Sequence, residues 1–203
     1  MHNEAIVVGL TGQTGAGKST VSEILISRDY PVIDADVVAR RVVSKGKKCL
    51  LELALEFGIE ILNVDGTLNR RKLGETVFTD KQKRIRLNQI TFPYIQEEIL
   101  NEVERLRQKG APVIFLDAPT LFESGTDQYC DKVVSVIAPQ TVRLERILER
   151  DPITPQEAQN RMRSQNDDAF YTQKSDFVIQ NNGDLSELRV RVMEMLDFIE
   201  ARK

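Results

Sequence analysis

The amino-acid sequence predicts an α/β protein: a five-stranded parallel sheet flanked by helices, with a helical insertion and a helical lid. Two observations lead to this class. An apolar run near the N-terminus enters a glycine-rich loop followed by a helical pattern, and four further short runs rich in valine and isoleucine alternate with helical segments. Such strands are typically buried on both faces, and their alternation with helices is typical of a parallel sheet.

The five predicted strands follow one another with helical segments between them, and each is short and rich in valine and isoleucine. They are Ala5–Leu10, Pro31–Asp36, Val113–Asp117, Lys132–Ala138 and Asp176–Asn181. Ligands of open α/β sheets bind at the carboxyl ends of the strands, so we expect the functional site at that edge of the sheet.

A length of 203 residues allows one α/β domain with two helical additions to its core. Residues 37–110 show no convincing strand, and Arg84–Lys109 carries apolar residues at helical spacing. This stretch is too long for a simple crossover, so we predict a helical insertion that binds the substrate. The predicted core, which carries the glycine-rich loop, consists of residues 1–36, 111–138 and 171–203.

Residues 139–170 form the predicted helical lid, and they are rich in charge. A helix is expected to start at Thr154 as the N-cap, with Pro155 in the first turn and Glu157 completing a capping box. This start signal depends only on neighbouring residues.

Three arginines of the preceding helix, Arg143, Arg146 and Arg150, fall at positions i, i+3 and i+7 and form one basic stripe. Two interpretations are open. The stripe is either a solvated face, on which Arg146 would pair with nearby Glu145 or Glu149, or a lid that covers bound phosphates.

Residues 12–19, Gly-Gln-Thr-Gly-Ala-Gly-Lys-Ser, match the P-loop pattern G-x-x-x-x-G-K-[S/T] between a strand and a helix. Backbone N–H groups at such a helix start converge on a phosphate, and the glycines allow the close approach. Lys18 is expected to reach the β/γ-phosphates and Ser19 to ligate Mg²⁺. The predicted ATP-binding residues here are Gly12, Thr14, Gly15, Ala16, Gly17, Lys18, Ser19 and Thr20.

Composition excludes several other classes of function. The 203 residues carry a formal net charge of −3, which argues against nucleic-acid binding, and no apolar stretch is long enough to span a bilayer. Residues 1–5 lack a basic signal-peptide start, and Cys49 and Cys130 stand too far apart to suggest a metal site. We expect a reduced, cytoplasmic protein; a monomer is favoured and an oligomer is left open.

The catalytic base is expected to be a carboxylate or a positioned water, because His2, at the extreme N-terminus, is the only histidine of the sequence. On a strand, Asp34 and Asp36 would share one side, where they could divide metal contact and proton acceptance. Alternatively, Asp36 is the N-cap of a following helix. Asp117 occupies the position of a Walker-B acid and either holds a water on Mg²⁺ or begins the turn toward Pro119.

Among P-loop classes, the sequence favours a small-molecule kinase. A GTPase would show D-x-x-G after the third strand, whereas residues 117–120 lack the glycine. Residues 173–176 superficially resemble N-K-x-D, but they precede their strand rather than follow it. A motor or regulator usually carries additional domains, for which 203 residues leave little space.

The combined motifs resemble those of the dephospho-CoA kinase family. A P-loop such as the one in Gly9–Thr20 is shared by many families, but its combination with Val32–Arg40 and Ser175–Gly183 is far more specific. Further matches are Asp65–Arg70, Val77–Phe78, Leu87–Asn88, Ala118–Glu123 and Arg161–Gln165. The resemblance implies the fold of the nucleoside-monophosphate-kinase type. It also implies phosphorylation of the ribose 3′-hydroxyl of dephospho-CoA by ATP, with Mg²⁺ as cofactor.

The resemblance also implies roles for individual residues. Asp36 is expected to activate the 3′-hydroxyl, Asp34 to support the site, and Arg40 to contact the substrate. Leu121, Phe122 and Glu123 are expected to shape the substrate pocket. Arg146 and Arg150 of the lid are expected to bring positive charge to the transferring phosphoryl group. Asn181 to Gly183 are expected to lie beside the adenine of ATP.

Two places depart from the family's pattern. Residues 12–15 read Gly-Gln-Thr-Gly where the family usually has Gly-Gly-Ile-Gly, which is still compatible with phosphate binding, and Phe92 stands where the family usually has the histidine of L-N-x-x-x-H-P. At position 92, a polar role is therefore not available, and packing is expected instead. Two other functions stay open on the residues alone. They are another small-molecule kinase, for nucleosides or nucleotides, and an ATP-binding regulator without transfer activity.

Overall fold

The computed structural model describes residues 5–77 and 80–201, so His2 and Phe78, both considered above, lie outside the described residues. Within this part of the chain five strands form one sheet in the order β2-β3-β1-β4-β5. The strands are β1 (Ile6–Gly12), β2 (Val32–Asp34), β3 (Val113–Asp117), β4 (Lys132–Ile137) and β5 (Phe177–Gln180). β1 pairs in parallel with β3 and β4, and β4 pairs in parallel with β5, which confirms the predicted class.

The helices alternate with the strands as expected. They are α1 (Lys18–Ile26), α2 (Ala35–Val42), α3 (Lys48–Phe57), α4 (Arg70–Val77), α5 (Lys81–Gln108), α6 (Gln140–Arg150), α7 (Pro155–Arg163), α8 (Asp168–Lys174) and α9 (Leu185–Glu200). Two short 3₁₀ turns cover Ile59–Ile61 and Thr126–Tyr129. The predicted helix at 84–109 is confirmed as α5, and the capping box predicted at Thr154 is present at the start of α7.

The chain divides into two compact units. One comprises Met1–Val32 and Leu106–Lys203, which includes the P-loop and nearly the whole sheet, and the other is Ile33–Arg105, which is mainly helical. In the helical unit, the Arg41 guanidinium lies 3.2 Å from a carboxylate oxygen of Glu98 and also pairs with Glu102. These ion pairs join α2 to α5.

The core of the first unit is the contact between the sheet and two helices, α1 and α9. Apolar residues of α9 recur at helical spacing and turn one stripe toward the sheet, as the burial of apolar area favours. The buried members of this stripe are Leu188, Val192, Met195, Leu196 and Ile199.

Two aspartates just before strands fix where neighbouring strands meet. A carboxylate oxygen of Asp131 accepts a hydrogen bond from the backbone N–H of Val7 at 2.8 Å, and Asp176 accepts one from Val133 at the same distance. In both pairs the backbone N–H of the aspartate also donates to the partner's carbonyl. Each aspartate therefore closes a two-bond ring that sets the register of the parallel pair.

The prediction that a strand runs through Asp36 is wrong. β2 ends at Asp34, and α2 starts at the next residue. An oxygen of the Asp34 side chain accepts hydrogen bonds from the backbone N–H groups of Asp36 and Val37, at 2.8 and 3.1 Å. These N–H groups lack partners in a helix's first turn, so a carboxylate at the preceding residue stabilises a helix there.

In the part of the chain that the structure describes, no helix is both long and apolar enough to cross a membrane.

Two valines of α9 test the packing of the core. Val192 is fully buried, whereas Val190 on the same helix is 57% exposed. We expect Val192→Ala to lower the free energy of unfolding by about 2 kcal/mol, because two methyl groups leave a packed site. Val190→Ala is expected to change it by less than about 0.5 kcal/mol. Urea denaturation measures both, and equal effects would contradict the packing described for α9.

Candidate active site

Gly12 ends β1, and the loop between β1 and α1 contains Gly15 and Gly17; all three glycines adopt positive φ angles. These angles are 155° at Gly12, 76° at Gly15 and 96° at Gly17. Side chains rarely tolerate this region, whereas glycine enters it at little cost. The loop closes with a hydrogen bond of 3.1 Å from the backbone N–H of Ala16 to the carbonyl of Gln13.

Close backbone contacts also require glycine at two of these positions. A β-carbon at Gly12 would lie 2.4 Å from the carbonyl oxygen of Val136 in β4. At Gly15 it would lie 2.7 Å from the carbonyl oxygen of Arg143 in α6. The loop therefore fits against β4 and α6 only because these residues have no side chain.

The start of α1 has the properties of an anion site. Gly17 is its N-cap and supplies no side-chain cap, and the first turn contains no acidic residue. N–H groups at a helix N-terminus and the helix dipole attract negative charge. Lys18 and Ser19 lie in this first turn, and the Ser19 side chain is exposed. The arrangement fits the phosphate cradle that the sequence predicts.

Asp117, at the end of β3, is only 6% exposed and contacts two residues of α1. One carboxylate oxygen pairs with the Lys18 ammonium, and the other accepts a hydrogen bond of 2.6 Å from the Ser22 hydroxyl. A buried carboxylate is costly unless it is paired in this way. The end of β3 therefore places the Asp117 carboxylate next to the ammonium of the P-loop lysine.

Asn181 and Arg146 form a hydrogen-bonded group beside the second half of the P-loop. The side-chain amide of Asn181 donates to the carbonyl of Ala16 at 2.8 Å. The guanidinium of Arg146 donates to the backbone carbonyls of Asn181 and Gly183, at 3.3 and 3.5 Å. For Arg146 the interpretation of a solvated face paired with Glu145 or Glu149 is therefore wrong.

The three arginines of α6 share one face of the helix by their spacing, but they lie in different surroundings. Arg143 is buried, with 7% of its surface exposed, and its Nε donates to the carbonyl of Ala138 at 3.0 Å. Burial lowers the pKa of Arg143, and the charge of Asp168 opposes that change. Arg150 is more exposed and makes two contacts of 2.9 Å with Asp151.

Sequence reasoning missed the polar contacts that residues 165–168 make with the first half of the P-loop. The side-chain oxygen of Gln165 accepts a hydrogen bond from the backbone N–H of Thr14 at 2.8 Å. The Gln13 side-chain amide donates to Asp168 at 2.7 Å. Gln165 is the last residue of Arg161–Gln165, a segment that matches the family's pattern but to which the sequence analysis assigned no function. That match was the one sign in the sequence that Gln165 has a role at the site.

The three predicted pocket residues after β3 lie in different surroundings. Leu121 is fully buried, and a β-carbon at Gly9 would lie 2.7 Å from its Cδ2 atom, so Leu121 packs in the core. The ring of Phe122 packs edge-on against Phe170 at 5.4 Å between centroids. Glu123 accepts a hydrogen bond of 3.0 Å from the side chain of Asn166.

In the helical unit, the start of α2 carries the other predicted site residues. Asp34 is the N-cap, so the alternative that Asp36 caps this helix is wrong. Asp36 and Arg40 are both exposed and stand four residues apart on α2, on one face of the helix. Asp34 fixes the position of Asp36, because it bonds the backbone N–H of that residue.

Comparisons with known proteins agree over nearly the whole chain. The family model of dephospho-CoA kinase matches residues 6–187. A dephospho-CoA kinase of Listeria innocua is 43% identical over 190 residues, which cover 94% of this chain and 95% of the relative. The crystal structure of TT1252 from Thermus thermophilus superimposes with a TM-score of 0.82 at 30% sequence identity. A dephospho-CoA kinase from Campylobacter jejuni superimposes with a TM-score of 0.74 at 27% sequence identity. Each superposition covers 97% of this chain and 98% of the chain it is compared with.

Gly12 and Gly110 test the close approach of the loop to β4. Both have positive φ, but a β-carbon at Gly110 would meet nothing within 4 Å. We expect Gly12→Ala to lower the free energy of unfolding by about 2–5 kcal/mol, because it adds a backbone clash to the strain. Gly110→Ala is expected to cost about 1–2 kcal/mol from strain alone. Chemical denaturation compares them, and equal losses would contradict the clash at Val136.

Proposed function

The chain belongs to the dephospho-CoA kinase family, and we propose how its residues carry out the reaction of that family. Its function is the ATP-dependent phosphorylation of the ribose 3′-hydroxyl of dephospho-CoA, which yields coenzyme A and ADP. The family match over residues 6–187 carries this assignment, because a P-loop alone is common to many classes of nucleotide-binding protein.

We propose that residues 12–20 bind the triphosphate of ATP. Support comes from the positive φ angles of the glycines and from the N-terminus of α1, which has no competing acidic residue in its first turn. Lys18 would neutralise the β/γ-phosphates in the complex, where a phosphate oxygen takes the place of the Asp117 carboxylate as the partner of its ammonium. Asn181 and Gly183 would lie beside the adenine.

The residues present fit the Mg²⁺ that accompanies ATP. Ser19 offers a hydroxyl and Asp117 a carboxylate, both hard oxygen donors of the kind that Mg²⁺ takes. The described residues contain no group of three or more histidine, cysteine, aspartate or glutamate side chains arranged for a metal ion. This agrees with an ion that keeps waters and is held largely by the substrate's phosphates. When bound, Mg²⁺ supplies charge neutralisation of the transferring phosphoryl group.

Asp36 is our candidate for the general base. As the 3′-oxygen bonds to the γ-phosphorus and the bond to the ADP oxygen breaks, its carboxylate accepts the hydroxyl proton. The position of Asp36 supports the role: it is exposed, it lies in the first turn of α2, and Asp34 bonds its backbone. Asp34 then acts by holding the helix start, and Arg40 contacts the substrate.

The structure supports the two lid arginines unequally. Arg146 already bonds the carbonyls of Asn181 and Gly183, next to Gly17 of the P-loop. Arg150 makes its two contacts with Asp151 and would have to leave them to reach a phosphate. We therefore propose Arg146 as the arginine that stabilises the transferring phosphoryl group, with Arg150 as the secondary candidate. The exposed edges of Phe122 and Glu123, rather than buried Leu121, would shape the acceptor pocket.

We infer a cytoplasmic enzyme, and we expect it to act as a monomer. Both cysteines are free thiols. Burial raises the pKa of Cys49 to about 11 and that of Cys130 to about 12. A thiol that stays protonated at neutral pH is slow to oxidise, so neither residue is suited to a disulfide role.

The first experiment measures ADP release from Mg·ATP with and without dephospho-CoA, and identifies the product by mass. We expect release that depends on the acceptor, and a product heavier than dephospho-CoA by one phosphoryl group. A nucleoside or nucleotide that outcompetes dephospho-CoA as acceptor would indicate a different kinase. ATP binding with no acceptor-dependent release would indicate a regulator.

Asp36→Asn tests the base. We expect kcat to fall by about 10²–10⁴-fold, because the amide cannot accept the proton, while the dissociation constant of ATP stays within about twofold. Asp80→Asn is the matched control: Asp80 caps α5 through hydrogen bonds to the N–H groups of Gln82 and Lys83, and asparagine caps equally well. An unchanged kcat in Asp36→Asn would remove this residue from the base role.

A further inference from the structure

We propose that Gln165 is a positioning residue for the P-loop, and that it acts through the backbone N–H of Thr14. This inference rests on the proposed function, since it assigns a role in ATP binding. Gln165 lies in the turn between α7 and α8, 151 residues from Thr14 along the chain. Its side-chain oxygen accepts the Thr14 N–H hydrogen bond at 2.8 Å, a normal length for a bond of this type.

A second contact holds the neighbouring loop residue to the same turn. The side-chain amide of Gln13 donates to a carboxylate oxygen of Asp168 at 2.7 Å and to the backbone carbonyl of Asn166 at 3.3 Å. Gln13 is only 3% exposed, so these bonds replace water for its buried side-chain nitrogen. Residues 13 and 14 are thus both tied to residues 165–168, which we call the clamp turn.

The clamp turn is itself held in place. Thr154 and Glu157 form the capping box at the start of α7, and the backbone N–H of Gln165 donates to the carbonyl of Met162 at the end of that helix. Asp167 caps α8 through a hydrogen bond of 2.9 Å from the N–H of Phe170. With both adjoining helices fixed, the Gln165 side chain starts from a defined position.

The clamp turn also bonds the segment that follows β3. The Asn166 side chain donates to a carboxylate oxygen of Glu123 at 3.0 Å, and Glu123 follows β3. The clamp turn therefore connects the first half of the P-loop to the segment after β3. Asn181 holds the second half separately, through its bond to the carbonyl of Ala16.

Holding the loop matters because its glycines would otherwise leave it free to move. Residues 12–17 contain three glycines, and glycine has the greatest conformational freedom of any residue. When a mobile loop must be ordered around a ligand, the entropy lost lowers the affinity. A loop held in advance at Gln13, Thr14 and Ala16 avoids that loss, so the clamp turn raises the affinity for the triphosphate.

The test compares Gln165→Met, which keeps the length of the side chain but removes its acceptor, with Gln165→Glu, which keeps an acceptor oxygen. Gln156→Met is the matched control, because Gln156 is exposed on α7 and bonds only Asn160 of the same helix. Isothermal titration with Mg·ATP and Mg·ADP, without acceptor, gives dissociation constants independently of turnover. Steady-state kinetics give KM for each substrate, and thermal unfolding reports on the fold.

We expect Gln165→Met to weaken ATP and ADP binding about tenfold, because a half-buried loop N–H loses its acceptor and the loop loses this attachment. KM for dephospho-CoA should stay within about twofold, and Gln156→Met should bind as the parent does. At about 0.3 M salt, which screens the added charge, Gln165→Glu should regain most of the affinity.

Three results would overturn the role of Gln165. They are nucleotide affinity in Gln165→Met within twofold of the parent, equal weakening of both substrates, or no recovery in Gln165→Glu at the higher salt. If Gln165→Met does not fold, Gln165→Glu alone decides, because a large loss at high salt despite a retained acceptor contradicts the role. A parent protein that does not bind ATP would instead reject the proposed function, so the two failures are distinguishable.

Discussion

The site depends on one steric constraint, the close approach of the Gly12 backbone to the carbonyl of Val136. The sheet places β1 beside β4, so the chain that leaves β1 passes directly against the β4 backbone. At 2.4 Å from that carbonyl oxygen there is no room for a β-carbon. The loop that follows passes through Gly15 and Gly17, both with positive φ, and α1 then starts at Lys18, at the carboxyl edge of the sheet. The phosphate cradle lies at this helix start.

Charge in the site is organised around Asp117. Its carboxylate is nearly buried, and it is stabilised by the ammonium of Lys18 and by the hydroxyl of Ser22. Removing one partner of a buried pair is costly because the other charge is left without compensation. In our proposal, the Lys18 ammonium would turn to the phosphates when Mg·ATP is bound, and the Asp117 carboxylate would help to hold the Mg²⁺. Neither charge would then be left unpaired.

The lid arginines show how neighbouring positions on one helix acquire different functions. Arg143, Arg146 and Arg150 share a face of α6 by their spacing, but the surrounding elements decide their contacts. Burial lowers the pKa of Arg143, and its Nη1 has no hydrogen-bond partner among the described residues. Arg146 bonds the segment after β5, and Arg150 bonds Asp151. Of the three guanidinium groups, that of Arg146 bonds the segment beside Gly17 of the P-loop, which is why we assign it the catalytic contribution.

The sequence by itself determined those features whose signals are local: the P-loop, the five strands, α5, and the capping box at Thr154. Each depends on residues that are neighbours in the chain, and the specific motifs identified the family. Tertiary structure decided where β2 ends, which arginine is buried, and that Gln165 meets Thr14. The last contact joins residues 151 positions apart, and no periodicity marks it. Such contacts depend on how the helices pack, because a side-chain hydrogen bond forms only when both atoms are brought within about 3 Å.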